Sequence, residues 1–173
     1  APTLWDVDFR TAVAQAELED RDMPGAYHRV RFGADGPHVV EIETTRPELV
    51  PACVALVAHP DDERYKPLFG TDVTTPLFRV RVPILAHPLA DPEKGSGIAM
   101  ICTFGDVTDV TWWRELSLHA RAIIQTDGTL GRHVTFGPPG QDGGWPSENP
   151  AAAQAAYARL EGLSAAKARV AIV

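Results

Sequence analysis

Two aspartates three residues apart, Asp106 and Asp109, are the residues whose type and spacing best suit chemistry in this 173-residue chain. The run before them reads as a small-residue turn (Gly95 to Gly97), an apolar strand (Ile98 to Cys102) and a second turn (Thr103 to Gly105). It opens a helix from Asp106 to Leu116. Helix positions i and i+3 share a face, so both carboxylates point together. Such a pair could hold a cation such as an ammonium and orient a water. The same Asp-x-x-Asp pattern also resembles a capping box, and acids in a first turn complement the helix dipole. On these residues alone both readings stand open.

A second candidate is Thr44-Thr45-Arg46-Pro47-Glu48. Thr45 suits an N-cap, Pro47 a first turn and Glu48 the positive end of a dipole. Arg46 is a cation at the unfavourable end, which makes sense if something anionic or polar docks there.

The elements that must position these residues are short. Thr11 to Asp22 alternates as a strand, with a short helix the alternative because Val13 breaks the pattern, and Met23-Pro24-Gly25 turns into Ala26 to Phe32, which suggests an antiparallel hairpin; His38 to Thr44 returns as a third strand. Ala52 to Ala58 is a continuous apolar strand. After His59-Pro60, Asp61 to Tyr65 starts an acid-rich short helix ending near Gly70, its charges read as a solvated surface. Thr71 to Thr75 and Phe78 to Ala86 are β-rich, with Pro76 and Pro83 confining them to edges, bulges or barrel corners. Ala58-His59-Pro60 recurs as Ala86-His87-Pro88. Ala120 to Gln125 reads as a further strand, Gly137 to Pro146 as a loop, Asn149 to Leu160 as a helix stopped by Gly162, and Ser164 as the cap of a last helix. Helices that gather late around many short strands indicate an α+β or barrel-with-helices pattern rather than βαβ repetition.

At 45% hydrophobic residues the chain can build one domain with a real core. A net charge of −7 argues against broad nucleic-acid binding and leaves only local basic groups: Arg29, Arg31, Arg79, Arg81, Arg121 and Arg132. No apolar run reaches the roughly 18 residues of a membrane span, and the first residues lack a signal peptide's pattern, so a soluble cytoplasmic protein is expected. Cys53 and Cys102 lie in apolar runs as buried thiols. The six histidines lack metal-ligand spacing, and no nucleophile elbow, phosphate loop or dinucleotide fingerprint is present. Neither a metal nor a cofactor is expected.

Three segments in order, Thr44-Thr45-Arg46-Pro47-Glu48, then Ala58-His59-Pro60-Asp61-Asp62-Glu63-Arg64-Tyr65, then Gly95-Ser96-Gly97 running to Asp106-Val107-Thr108-Asp109, resemble the editing domain inserted into class I valyl-tRNA synthetases. The isoleucyl and leucyl relatives share the threonine-rich segment and the acidic pair, and the His-Pro-Asp-Asp-Glu-Arg-Tyr segment favours the valyl branch. The resemblance covers nearly the whole chain. It implies a β-barrel core decorated with helices, residues 1–173 as a single editing domain excised from a larger synthetase, and a monomer. The implied activity is hydrolysis of mischarged threonyl-tRNA without ATP or metal, the partners being the aminoacylated tRNA 3′ end and the parent synthetase. Valine and threonine are nearly isosteric, and a hydrophobic pocket rejects an added hydroxyl poorly, so a second pocket must recognise that hydroxyl.

By the same resemblance Asp109 matches the aspartate that pairs with the aminoacyl ammonium, and Asp106 its neighbour in hydroxyl recognition or water orientation. Thr44, Thr45 and Arg46 match the segment around the terminal adenosine and the ester. Many valyl enzymes carry lysine at Met100, threonine at Cys102 and Leu49, and an aromatic residue at Lys94. Those four departures weaken polar recognition, and Met100 is closer to the leucyl pattern. Two other readings follow: an isoleucyl- or leucyl-type editing domain, or a non-catalytic module positioning the tRNA acceptor end through Arg46, Arg79 or Arg81.

Overall fold

The computed structural model describes residues 2–19, 24–140 and 144–173. Strands β1 (Leu4–Asp6) and β2 (Thr11–Val13) pair as an antiparallel ribbon. β3 (His28–Phe32) and β4 (Val40–Thr44) form the next hairpin, with Phe32, Val40 and Ile42 turned inward. Their outward residues alternate as strand geometry requires, so Arg29 meets Glu43 and Arg31 meets Glu41 across the pair.

A 3-10 turn over Pro47–Ala52 leads into the main sheet, built from β5 (Ala55–Ala58), β6 (Asp72–Thr74), β7 (Arg81–Ala86) and β8 (Ile98–Ile101) in the order β6-β7-β5-β8. Helix α1 (Val107–Glu115) follows β8 directly. Two short strands, β9 (Phe136–Gly137) and β10 (Trp145–Pro146), pair in parallel, and helices α2 (Pro150–Ala158) and α3 (Ala165–Ile172) close the chain. Asn149 and Ser164 cap these last helices through Ala152 N–H and Lys167 N–H.

Strand β8 divides the interior. Ile98, Met100 and Cys102 join the larger core with Leu56, Ile84, Phe78 and Tyr157, while Ile101 turns to a smaller cluster with Val54, Ala55, Val57, Ala90 and Trp112 of α1. Phe78 and Phe136 stack at 5.5 Å, and the buried Tyr157 donates its hydroxyl to Gly131 O at 2.9 Å.

Several expectations need correction. The sheets do not close into a barrel. Gly33 N–H reaches Thr74 O at 2.8 Å, joining the β3–β4 hairpin to β6, but the facing pair β4 and β8 approach without a ladder, and the seam between them stays open. The run from Thr11 supplies only β2 and a 3-10 turn (Gln15–Glu17), and β3 pairs with β4 rather than with it. The rest of that expectation, over 20–22, and Met23 of the expected turn lie outside the described residues, as do 141–143 of the Gly/Pro loop. Ala120 to Gln125 makes only an isolated bridge, Ile124 to Leu130. β7 is an inner strand despite Pro83, because its parallel pairing with β5 begins one residue later, at Ile84, so the missing N–H falls below that ladder. The acid-rich segment after His59 is turns and one 3-10 helix (Lys66–Leu68).

The recurring Ala-His-Pro has a structural meaning. Ala58 and Ala86 are register partners at the ends of parallel β5 and β7, so both histidines leave the sheet side by side. Each accepts, at Nδ1, the N–H two residues on: Asp61 for His59 and Leu89 for His87.

Candidate active site

The open seam between the end of β4, β8 and the start of α1 is a cleft of about 470 Å³. Thr44, Thr45, Arg46, Lys94, Met100, Cys102, Asp106 and Asp109 all line it. The structure therefore brings the two candidate segments, distant in sequence, to one place.

The two aspartates differ. Asp106 sits at the N-cap of α1, exposed, and its Oδ1 accepts Asp109 N–H at 2.8 Å. It is a cap whose second oxygen has no hydrogen-bond partner among the described residues. Asp109 is only 7% exposed, and its Oδ2 accepts Cys102 N–H at 3.3 Å. Burial, then the neighbouring Asp106 charge, push its carboxyl up to about 7, against the pull of the Cys102 and Gly105 N–H groups and of Arg46. Thr103, buried and at a positive φ of 53° costly for a β-branched residue, turns the chain between those two donors, and its hydroxyl accepts Arg121 N–H at 2.9 Å. Gly105 packs so tightly that a β-carbon would collide with the Asp109 carboxylate.

Arg46 is not left waiting for an anion. Its Nη1 donates to Gly105 O at 2.8 Å and its Nε lies 3.6 Å from Glu48, a fully buried carboxylate that also accepts two bonds from Arg169 of α3, at 3.0 and 2.8 Å. Arg46 itself, not Thr45, is the N-cap residue of the 3-10 turn, which has no side-chain cap; Thr44 Oγ1 accepts Arg46 N–H at 3.0 Å. Thr45 is exposed on the cleft rim. Glu48 looks like a dipole partner in its local sequence because its real partner lies in the last helix, beyond any local pattern.

The acid-rich segment is a solvated surface at Asp61, Glu63 and Arg64, all exposed, but not at Asp62. Asp62 is buried and takes Arg64 Nε and Nη2 at 2.9 and 2.6 Å, while Arg64 Nη2 also donates to Pro92 O at 2.9 Å and covers Gly97. Tyr65 donates its hydroxyl to Ser96 O at 2.6 Å. This clamp shapes the Gly95 to Gly97 loop on one side of the cleft. Lys94 is exposed at its mouth, and Leu49, Met100 and Cys102 form an apolar wall. Burial, with Cys53 adjacent, pushes the Cys102 thiol well above its ordinary value, so it stays neutral there.

Trp112 and Tyr27 also line the cleft, and sequence reasoning missed both. Trp112 donates Nε1–H to His87 Nδ1 at 3.1 Å; His87 Nε2 lies 2.6 Å from Glu115. Because Leu89 N–H also points at Nδ1, that nitrogen is the acceptor and Nε2 carries the proton. The repeated Ala-His-Pro was the available signal. Tyr27, exposed at the mouth, had none. Of the local basic groups, Arg29, Arg31, Arg79 and Arg81 pair with Glu43, Glu41, Asp35 and Glu148, and Arg121 is buried on Cys53 O and Gly144 O. Among the described residues no group of His, Cys, Asp or Glu side chains is arranged to hold a metal, and no helix is long and apolar enough to cross a membrane.

No family model matches the chain. Whole-chain relatives do. The valine–tRNA ligase of Thermobifida fusca is 66% identical over 173 residues, all of this chain and 18% of that protein. That of Leifsonia xyli subsp. xyli is 64% identical over all of this chain and 19% of its own length, and that of Cutibacterium acnes is 68% identical over 75% of the chain and 15% of its own. Among solved structures, the ternary complex of Agrobacterium radiobacter K84 agnB2 LeuRS with tRNA and LeuAMS aligns at a TM-score of 0.47 with 18% identity, covering 55% of this chain and 16% of that one. The chain spans less than a fifth of the length of the curated relatives it matches. These relatives are aminoacyl-tRNA synthetases. Over its whole length the chain is similar to one part of the valine–tRNA ligases.

Proposed function

We propose that the chain is one domain inserted in a larger valyl-tRNA synthetase and that its cleft hydrolyses the ester of mischarged threonyl-tRNA, releasing free threonine and tRNA. The observation that carries this reading is Asp109: a buried carboxylate facing a cleft, whose hydrogen bonds among the described residues come from backbone N–H groups alone. A carboxylate so placed gains strongly from an incoming ammonium, more than it would in water.

With the α-ammonium on Asp109, the side-chain hydroxyl of threonine meets the free oxygen of Asp106, and its methyl meets Leu49, Met100 and Cys102. Valine offers Asp106 nothing, and this difference selects the threonyl ester. Thr44 Oγ1 already accepts Arg46 N–H, which leaves its hydroxyl proton to donate toward the ester. Thr45 and Lys94 at the rim face the terminal nucleotide. Water adds its oxygen to the ester carbonyl, the acyl–oxygen bond breaks, and the ribose oxygen leaves with a proton. Holding water and ester together supplies much of the rate without a metal. The paired state of Arg46, Arg79 and Arg81 weighs against a purely RNA-positioning role.

The test is deacylation of threonyl- against valyl-tRNA by the full-length ligase, wild type beside Asp109→Ala, with folding followed by circular dichroism. Selective threonyl hydrolysis lost in the folded variant is the expected result; unchanged clearance by that variant would overturn the reading.

A further inference from the structure

Arg46 is gripped at two ends. One edge of its guanidinium holds Gly105 O, and the other meets Glu48, which α3 engages through Nε and Nη2 of Arg169. Glu48 is fully buried, so its charge must be matched within the protein. Arg46 is 37% exposed in its side chain, and these two contacts set the place of its guanidinium. Its other anchor, Gly105, is the residue that both packs against the Asp109 carboxylate and precedes the Asp106 cap. A displacement of Gly105 therefore moves both carboxylates.

We infer that Arg169, which lines no part of the cleft, is a positioning residue for it: through Glu48 it sets Arg46 on the Gly105 carbonyl and so fixes the loop that presents Asp106 and Asp109. This rests on the editing reading above for its consequence but on contacts alone for its geometry. Loss of Arg169 leaves Glu48 with a single cation. The buried carboxylate then draws Arg46 toward itself and off Gly105. Arg46 is also among the charges that hold down the Asp109 carboxyl, so its departure carries that carboxyl's ionisation to higher pH.

The experiment takes the full-length ligase with Arg169→Gln, Glu48→Gln/Arg169→Gln, and Arg46→Gln with and without Arg169→Gln. The double amide pair removes the buried charge and keeps a hydrogen bond, so it guards against simple unfolding. Expected are a roughly tenfold fall in deacylation kcat with KM changed less than twofold, and an acid limb of the kcat/KM profile moved upward by half a pH unit or more. Valine activation stays at the wild-type rate. Arg169→Gln adds nothing further to Arg46→Gln, because both act through one contact. Folded variants with wild-type kcat and pH profile would reduce Arg169 to a strut for α3. Crystal structures separate the two failures. If Asp109→Asn proves harmless, the editing reading falls, and the relay is still decided by whether Arg46 Nη1 leaves Gly105 O in Arg169→Gln; its staying in place overturns the relay.

Discussion

Glu48 and Asp109 are both buried carboxylates within reach of Arg46, and they are provided for in opposite ways. Glu48 has two arginines and no access to solvent; Asp109 has backbone N–H groups, an adjacent like charge and a cleft in front of it. The first arrangement is complete within the chain. The second is short of one cation, and in the proposed reading that shortage suits it to bind one. Burial alone does not mark a candidate functional acid; burial beside a cleft without a resident counter-charge does.

The largest effect expected from breaking this contrast is on Glu48. Arg169→Met leaves the buried Glu48 charge with Arg46 alone and should cost about 3 kcal/mol, read by urea unfolding at pH 7.5. An unchanged midpoint would mean that Arg46 alone matches that charge. On the other side, Asp109→Asn removes the group lacking a partner. Deacylation should fall by about 100-fold or more, some 2.7 kcal/mol of barrier, while the fold gains about 1–2 kcal/mol at pH 8. Loss of both activity and stability would make Asp109 a structural acid like Glu48.

The pH dependence sharpens the same point. The Asp109 carboxyl titrates at about 7 when folded against an ordinary value of 3.8, so between those values the unfolded state has released a proton that the folded state keeps. Stability from this group is therefore greatest at low pH and declines by about 1.4 kcal/mol per pH unit across roughly pH 4 to 7, with no further change above. The difference in unfolding free energy between wild type and Asp109→Asn, followed over pH 4 to 9, should show that slope and then a plateau. Smallest is Asp106→Ser, which keeps a capping oxygen and removes the charge: stability within about 0.5 kcal/mol, deacylation down about tenfold. Unchanged deacylation would leave Asp106 as a cap only.

What the sequence made legible follows from range. β8, α1 and α2 were readable within a residue or two, and the start of α3 after Ser164, because apolar runs, caps and Gly162 act locally. The candidate segments were readable as motifs, while their meeting in one cleft depends on β4 and β8 facing each other across an unpaired seam. β2 pairs backwards with β1 rather than forwards with β3, a choice that alternation does not make. The other misreadings concern partners far along the chain: Glu48 finds Arg169, and Asp62 is buried under an Arg64 that reaches Pro92 and Gly97, where charge patterning suggested solvent. A barrel core was implied by the resemblance and agreed with the many short strands, and strand number does not decide whether edges join.

With its carboxyl pushed up to about 7, Asp109 holds both charge states near neutrality. A cation that settles there selects the ionised form and strips the proton from the other. Binding near neutrality then releases part of a proton to the buffer, so the measured heat of binding should vary with the buffer's own ionisation enthalpy, and occupation of this cleft by a cation is an acid–base exchange with its surroundings as well as a fit of shapes.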